Sequence, residues 1–439
     1  MQQKLKQKSL TGSFWGSIFL IAGGTIGAGM LALPTVTGEG GLWVSLAAYV
    51  VSWVYMLSTG LILFECLSTI NATKNSTSNY QINLIDTVEN LLGKTAKNWV
   101  IFCFLGLFSC VMVAYLSKGG DLFLNFIHNF FLVFKIDLSS FILNPIYSNY
   151  MGPIMLGIFS HSIICQIYER IDLWNRLGVA VLVVAFMILI GISYPAFDSQ
   201  NLARSDWGTF PLMVPFMVIA FGFHNMIPSV LKYFRSQDKD AFSSNTVQSI
   251  VIGAFIPFIV YLIWNNCVLG VIPAHSKAEF ATYFQKGQII TDILTHVIRT
   301  KNNVVMHNLS FWAQVFSFAA IITSIFGQGV SVVDFVSDIK KAPKLKFSRK
   351  IISFFYFAVC VIVTCFFPGI FLNALGIAGG TFAILLFGII PCLMCLKARK
   401  NPSIVIQYRM FFPNAYIYFL LFLSVIFLTY EIFKAFGIV

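Results

Sequence analysis

Charge is what this sequence has least of. Asp, Glu, Lys and Arg make up 10% of its residues, where a soluble domain carries about 25%. Hydrophobic residues reach 58%. So few polar groups cannot cover a soluble core in a chain of 439 residues, which excludes an ordinary globular protein and points to an integral membrane protein. Chemistry-bearing motifs are missing as well. No phosphate-binding P-loop, no HExxH, and no paired carboxylates or nucleophile–base arrangement lies at membrane depth, so neither ATP-driven transport nor a membrane-embedded enzyme finds support. The nine cysteines sit mostly within apolar runs; Cys392 and Cys395 form a CxxC without a second pair or a His cluster, and read as small apolar fillers. A cleavable leader is not expected either, because Met1 to Thr11 is polar and lysine-bearing and no cleavage site follows.

What is present is a series of apolar runs. About 20 apolar residues cross a bilayer, and eleven segments qualify: 14–36, 41–67, 98–124, 149–167, 173–195, 209–233, 246–270, 309–336, 351–367, 370–396 and 412–436. The net charge of +12 falls between these segments, so it reads as an orientation signal rather than a nucleic-acid surface. With the N-terminus inside, 21 Lys and Arg lie inside and 7 outside, Lys118 lying within a span. The expected topology is therefore N-terminus cytoplasmic and C-terminus outside, in a bacterial-type inner (plasma) membrane. The connection 271–308 has helical spacing with mixed charge and reads either as surface helices forming a lid or as a passive connector. The sequons at Asn71 and Asn75 fall on an inside loop and are discounted.

Two segments are interrupted in corresponding places. The first contains "AGGTIGAGMLALP", Ala22 to Pro34, with four glycines and a closing proline. The sixth contains Gly222, His224, Asn225 and Pro228. Glycine and proline weaken a helix, and broken backbone at membrane depth is tolerated only where protein or a water-filled cavity satisfies it. Breaks five spans apart are the expectation for two five-helix halves of opposite orientation. The chain divides accordingly into a tail (1–13), a first repeat (14–195), a second repeat (209–396) and an eleventh helix with the C-terminus (412–439). The fold expected is all-α integral membrane, with about eleven transmembrane helices and broken helices 1 and 6. Unwound glycines offer N–H groups to a carboxylate and carbonyls to an ammonium group or cation. A glycine-lined helix contact of the small-xxx-small kind is the alternative, since Gly23/Gly27 and Gly24/Ala28 fit that spacing.

"GGTIGAGMLALP" and "AFGFHNMIPS" resemble the hydroxy/aromatic amino acid permeases, tyrosine-specific members above all. "IDLWNRLGVA", "GAFIPFIVYLIWNNCVLG" and "NALGIAGGTFAILLFGIIP" extend the likeness over nearly the whole chain. The resemblance implies an amino acid–polyamine–organocation fold similar to the bacterial leucine transporter, and cation-driven uptake of an amino acid. Tyrosine is the first substrate expected; tryptophan or serine, or a receptor that does not transport, are the alternatives. No cofactor beyond a coupling ion (Na+ or H+) is expected. The expected partners are the substrate and the lipid bilayer, with no nucleic acid and no obligate protein partner.

The substrate residues expected are Ala22, Gly23, Gly24, Thr25 and Gly27 at the first break and Phe221, Gly222, Phe223, His224 and Asn225 at the sixth. Tyr115 joins them from the third span. His224 reads either as a proton acceptor or donor to substrate, or as a structural cap on the broken helix. His161 reads as a packing residue. Lys118 and Asp121, at i and i+3, read as a structural pair or an outer gate. Ala320, Thr323 and Ser324 share one face of the eighth span. By resemblance to sodium-coupled transporters of this fold, they would bind sodium with the carbonyls of Gly23 and Ile26. Alternatively the hydroxyls bond back to their own helix. Proton-coupled relatives place a lysine on the fifth span; from Leu177 to Pro195 only Tyr194 is ionisable here. Asp334 reads as an inner gate or an interfacial charge.

Overall fold

The computed structural model describes the chain apart from residues 1, 75–83, 136–144, 167, 235–238, 274–287, 295–305, 340–347, 403, 405, 407 and 437–439. The basic loop 340–347 and most of the 271–308 connection lie outside the described residues. All regular structure among the described residues is helical. The first span is the pair α1 (Gln2–Thr25) and α2 (Gly29–Thr37), and the second is α3 (Gly41–Lys74). A short amphipathic helix, α4 (Leu84–Leu92), precedes the third span, α5 (Lys94–Val133). The fourth and fifth segments are α6 (Pro145–Ile164) and α7 (Tyr168–Ser193). The sixth is split into α8 (Phe210–Ala220) and α9 (Ile227–Phe234). Then come α10 (Lys239–Val271), α11 (Met306–Ile339) and α12 (Arg349–Phe366). The tenth span is α13 (Phe371–Ile377), a wide π-helical stretch Ala378–Ile389, and α14 (Ile390–Lys400); α15 (Asn414–Ala435) is last.

Among the described residues, nine helices are long and apolar enough to cross a membrane, and the first pair, bent by 55°, makes a tenth. The segment expected at 149–167 accounts for the difference from eleven. It is present as the 20-residue α6, whose sequence carries Tyr147, Ser148, Asn149, Tyr150, Ser160, His161 and Ser162. Ser160 is fully buried, and His161 Nδ1 lies 3.0 Å from Ser353 Oγ on α12, a packing role. The backbones of α5 and α6 meet at Gly120 and Gly152, where a Cβ on either would come within 2.7 Å of the other's main chain. That close approach requires glycine on both sides.

Burial separates core from rim. In α5 67% of the apolar window is buried within the protein, in α15 17%. The outward faces of α7, α12 and α15 carry Val181, Met187, Phe355, Ile362 and Phe422, an apolar girdle suited to lipid.

The departure from helix at Pro34 is answered by a specific partner. Pro34 in α2 has no N–H, so the carbonyl of Met30 loses its i+4 donor; the indole Nε1 of Trp264 on α10 donates to it at 2.8 Å. One turn on, Thr37 Oγ1 donates to Asn265 Oδ1 at 2.6 Å. Tyr261, Trp264 and Asn265 thus form one polar face of α10 at i, i+3, i+4. A second network ties α3 to α14. Arg399 meets Glu65 through Nε–Oε1 and Nη2–Oε2 contacts of 2.7 Å each, both side chains being almost wholly buried. The amide of Met410 and the thiol of Cys395 also donate to that carboxylate, so the buried charges are fully partnered, as burial demands.

Candidate functional site

The backbone at the first break can be followed bond by bond. Ile26 N donates to Ala22 O at 2.9 Å, the last rung of α1. Ala28 N leaves the ladder and donates to Ser324 Oγ at 3.1 Å. The rungs Met30 N to Gly27 O and Leu31 N to Ala28 O then begin α2. The carbonyls of Gly23, Gly24 and Ile26 are left without a backbone donor. These are oxygens that can face a cation.

At the sixth span the ladder stops with Gly222 N to Ile219 O at 3.1 Å. Residues Phe221–Phe223 run irregularly into a 3-10 turn, His224–Met226, and then α9. The amides of Phe223, His224 and Asn225 find no backbone acceptor and the carbonyls of Ala220, Phe221 and Gly222 no backbone donor, and at the first break the amides of Gly27 and Gly29 likewise lack a backbone acceptor. Each break thus leaves both carbonyls and amides free of the main-chain ladder, and such a pair of breaks can meet the two ends of a zwitterion.

A cavity of about 880 Å³ joins the breaks. Of the residues singled out from the sequence, Gly23, Gly24, Thr25, Ile26, Gly27, Tyr115, Gly222, Asn225, Thr323 and Ser324 line it. Ala22, Phe221, Phe223, His224 and Ala320 are not on its wall. Ala22 is buried in the core. Phe221 packs among Tyr49, Phe258 and Tyr261. The ring of Phe223 lies against Gly60 of α3, where a Cβ would come within 2.6 Å of it. His224 stacks on Phe387 at 4.6 Å, and its Nε2 lies 3.0 Å from Thr59 Oγ1. The side chains expected in the pocket at Ala22, Phe221, Phe223 and His224 thus lie off its wall, while Ala320 enters the expectation only as a cation ligand. Phe223 and His224 face α3 and the tenth span, while Asn225 and Met226 face the cavity.

Other wall residues escaped sequence reasoning. Phe108, Val111 and Tyr115 share one face of α5, and Thr323, Ser324, Gly327, Gln328 and Ser331 one face of α11. Helical periodicity extended from Tyr115 and Thr323 would have found both stripes. Phe216 of α8 and Phe387 of the π-helical stretch had no such signal. The wall is largely apolar and aromatic with a few polar groups, the usual make-up of a small-molecule site.

The cavity wall reaches exposed residues, among them Val183 and Val184 of α7. It continues past Phe19, Asn175, Arg176, Ser229 and Ser331. In the 271–308 connection Ile289, Ile290, Ile293 and Leu294 are buried, and Lys118 Nζ meets Asp292 Oδ2 at 2.8 Å. The partner of Lys118 thus comes from the long connection, 174 residues away, rather than from Asp121 one turn along. Asp334 pairs with Arg349 at 2.8 Å, joining α11 to α12.

The sodium ligand set expected from the sequence can be tested against this geometry. Thr323 Oγ1 donates to Ala319 O at 2.8 Å and Ser324 Oγ to Ala320 O at 2.8 Å. Both hydroxyls bond back to their own helix, and each keeps lone pairs on the oxygen. Ser324 Oγ touches the first break through Ala28 N. The fifth span meets Thr323 at Gly178, where a Cβ would come within 2.5 Å of its methyl; no side chain fits between them. The donor set, neutral oxygens with the Gly23 and Ile26 carbonyls unpaired, fits a hard monovalent cation. Among the described residues no cluster of His, Cys, Asp or Glu could hold a metal.

Comparison with known proteins decides the family. A sequence profile of the tryptophan/tyrosine permease family matches residues 10–431. The chain belongs to that family. It is 27% identical to a tryptophan-specific transport protein of Haemophilus influenzae over 90% of each chain. To tyrosine-specific transport system 1 of the same organism it is 25% identical over 88% of each. Among solved structures, MhsT in complex with L-phenylalanine superposes with a TM-score of 0.55 at 15% identity, covering 96% of this chain and 98% of that one. That likeness establishes the leucine-transporter-like fold. This permease is accordingly an all-helical membrane transport protein of an aromatic amino acid permease family, and not an enzyme.

Proposed function

We propose that this permease is a secondary active symporter that imports an aromatic amino acid, tyrosine or tryptophan, by alternating access. The observation that carries the reading is the cavity between the breaks, both of which leave main-chain carbonyls and amides without backbone partners, with Phe108, Tyr115, Phe216 and Phe387 around them. The amino group would meet the first break, the carboxylate the sixth, and the ring the aromatic wall. Tyrosine was the first expectation from the sequence; the likeness to tryptophan-specific as well as tyrosine-specific proteins supports the wider class.

With the basic loops inside, the part of the cavity wall that holds Arg176 lies toward the cytoplasm. In this reading 14–195 and 209–396 are the two inverted repeats. For the coupling ion we favour sodium, held by the carbonyls of Gly23, Ile26 and Ala320 and the hydroxyls of Thr323 and Ser324. Bound sodium would supply positive charge beside the first break and link substrate binding to its own gradient. Gly178 supports this choice, because it leaves the position that a lysine would fill without a side chain.

Uptake of labelled L-tyrosine and L-tryptophan into proteoliposomes tests the reading. An imposed sodium gradient is expected to drive accumulation, and Thr323→Val with Ser324→Ala to remove the sodium stimulation while the protein still reconstitutes. Accumulation driven equally well in choline by a proton gradient alone would refute sodium coupling. Preference for serine or a branched aliphatic amino acid would refute the aromatic pocket.

A further inference from the structure

One side chain reaches both breaks. Tyr261 of α10 is fully buried. Its hydroxyl donates to the carbonyl of Thr25 at 2.7 Å and lies 3.3 Å from the carbonyl of Ala220. Thr25 ends α1 and Ala220 ends α8. The two acceptors are therefore equivalent groups, the C-terminal carbonyls of the two half-helices, which continuous helices would have paired with the amides of Gly29 and His224. Neither receives a backbone donor. A phenol has one hydrogen to give, so a single donor is shared between two interrupted helices.

The surroundings hold this arrangement in place. Trp264 and Asn265 fix α10 to α2 on the same face. The Tyr261 ring packs on Phe221 with centroids 5.5 Å apart. A Cβ on Gly29 would stand 3.2 Å from Ala220 Cβ and 3.7 Å from the Tyr261 hydroxyl, so the two breaks approach each other at this point with no spare room.

We infer that Tyr261 is a positioning residue that locks the two unwound segments to one another and thereby sets the shape of the site between them. It does not touch the substrate; it is not on the cavity wall. The inference rests on the cavity being the amino acid site. Burial of an unpaired carbonyl is costly, so loss of the hydroxyl leaves both half-helix ends short of a donor and free to move separately. A built-in control exists. Tyr49 of α3 is equally buried and packs on the same Phe221 at 6.1 Å, yet its hydroxyl has no partner.

The test compares Tyr261→Phe with Tyr49→Phe in the full-length purified protein. Hydrogen–deuterium exchange without substrate is followed in peptides covering 18–32 and 214–228. Tyr261→Phe is expected to speed exchange about tenfold at both breaks, the scale of one hydrogen bond, and Tyr49→Phe at neither. In counterflow with L-tyrosine and L-tryptophan, Tyr261→Phe should raise KM about tenfold with turnover within about twofold of wild type. Faster exchange at one break alone, or none with wild-type KM, overturns the inference. If wild-type vesicles exchange neither amino acid, the transport reading fails while the exchange data still decide the lock. Should Tyr261→Phe not fold, Gly29→Ala is the second probe: it wedges the same contact, and unchanged exchange at 214–228 would overturn the inference.

Discussion

At the first break the main chain itself forms the cavity wall, whereas at the sixth the side chains that mark the break turn their backs on it. Gly23, Gly24 and Gly27 face open space or the tips of cavity residues. Phe223 and His224 are packed into α3 and the tenth span, and only Gly222, Asn225 and Met226 of that break reach the cavity. The first break thus offers backbone to the cavity. The sixth is an anchored corner whose aromatic and imidazole rings hold the chain while its amides are presented. Similar interruptions in sequence serve different physical ends, and substitutions should tell them apart.

The largest effect is expected at Gly27, because a Cβ there would stand 2.5 Å from Ser324 Oγ. Gly27→Leu must displace either α11 or the break itself. Uptake in proteoliposomes should fall at least about 100-fold, the loss expected when a close backbone contact is removed, while the protein still inserts and purifies. Normal uptake by this variant would mean that the glycines serve helix packing only. At the sixth break the expected damage is to stability rather than chemistry. His224→Ala removes a buried ring stacked on Phe387 and bonded to Thr59. It should cost about 2–4 kcal/mol, visible as a lower unfolding temperature in detergent. The pH dependence of the remaining uptake should stay as in wild type. A shifted pH profile with unchanged thermal stability would instead make His224 a proton carrier.

How much of this was legible beforehand follows from the range of the forces involved. Apolar length and the glycine and proline positions are local, so the spans and both breaks could be read directly. The stripes on α5 and α11 needed only helical periodicity carried outward from Tyr115 and Thr323. What could not be read depends on distant partners or on small rotations. Lys118 had Asp121 within reach on its own helix, but its contact is Asp292. Glu65 meets Arg399 across 334 residues, and no local pattern announces either pair. Phe223 and His224 lie at the start of a single 3-10 turn, and no local pattern separates them from Asn225 and Met226, which face the cavity. The π-helical stretch Ala378–Ile389 carries two adjacent glycines, Gly379 and Gly380, one against the Pro215 carbonyl and the other against Glu431. Its widened turns answer to those neighbours and left no mark in the hydropathy.

The finest distinction lies between neighbouring glycines of the first break. A Cβ on Gly24 would come within 1.9 Å of the Met226 methyl, whereas Gly23 has nothing within 4 Å. Methionine is flexible, so Gly24→Ala can be accommodated if Met226 swings aside, and that movement alters the one long apolar side chain that the sixth break places in the cavity. Gly23→Ala needs no such movement; its methyl simply occupies space at the wall. Both variants should fold, since neither meets backbone. Gly24→Ala is expected to raise KM about fivefold to tenfold, the scale of one misplaced apolar contact, and Gly23→Ala no more than about twofold to threefold. Measured side by side with L-tyrosine and L-tryptophan, the larger ring should suffer more at both positions. If Gly23→Ala proved the more harmful, the first break would have to contact its ligand chiefly through residue 23, and the coupling between the two breaks through Met226 would be lost from the account.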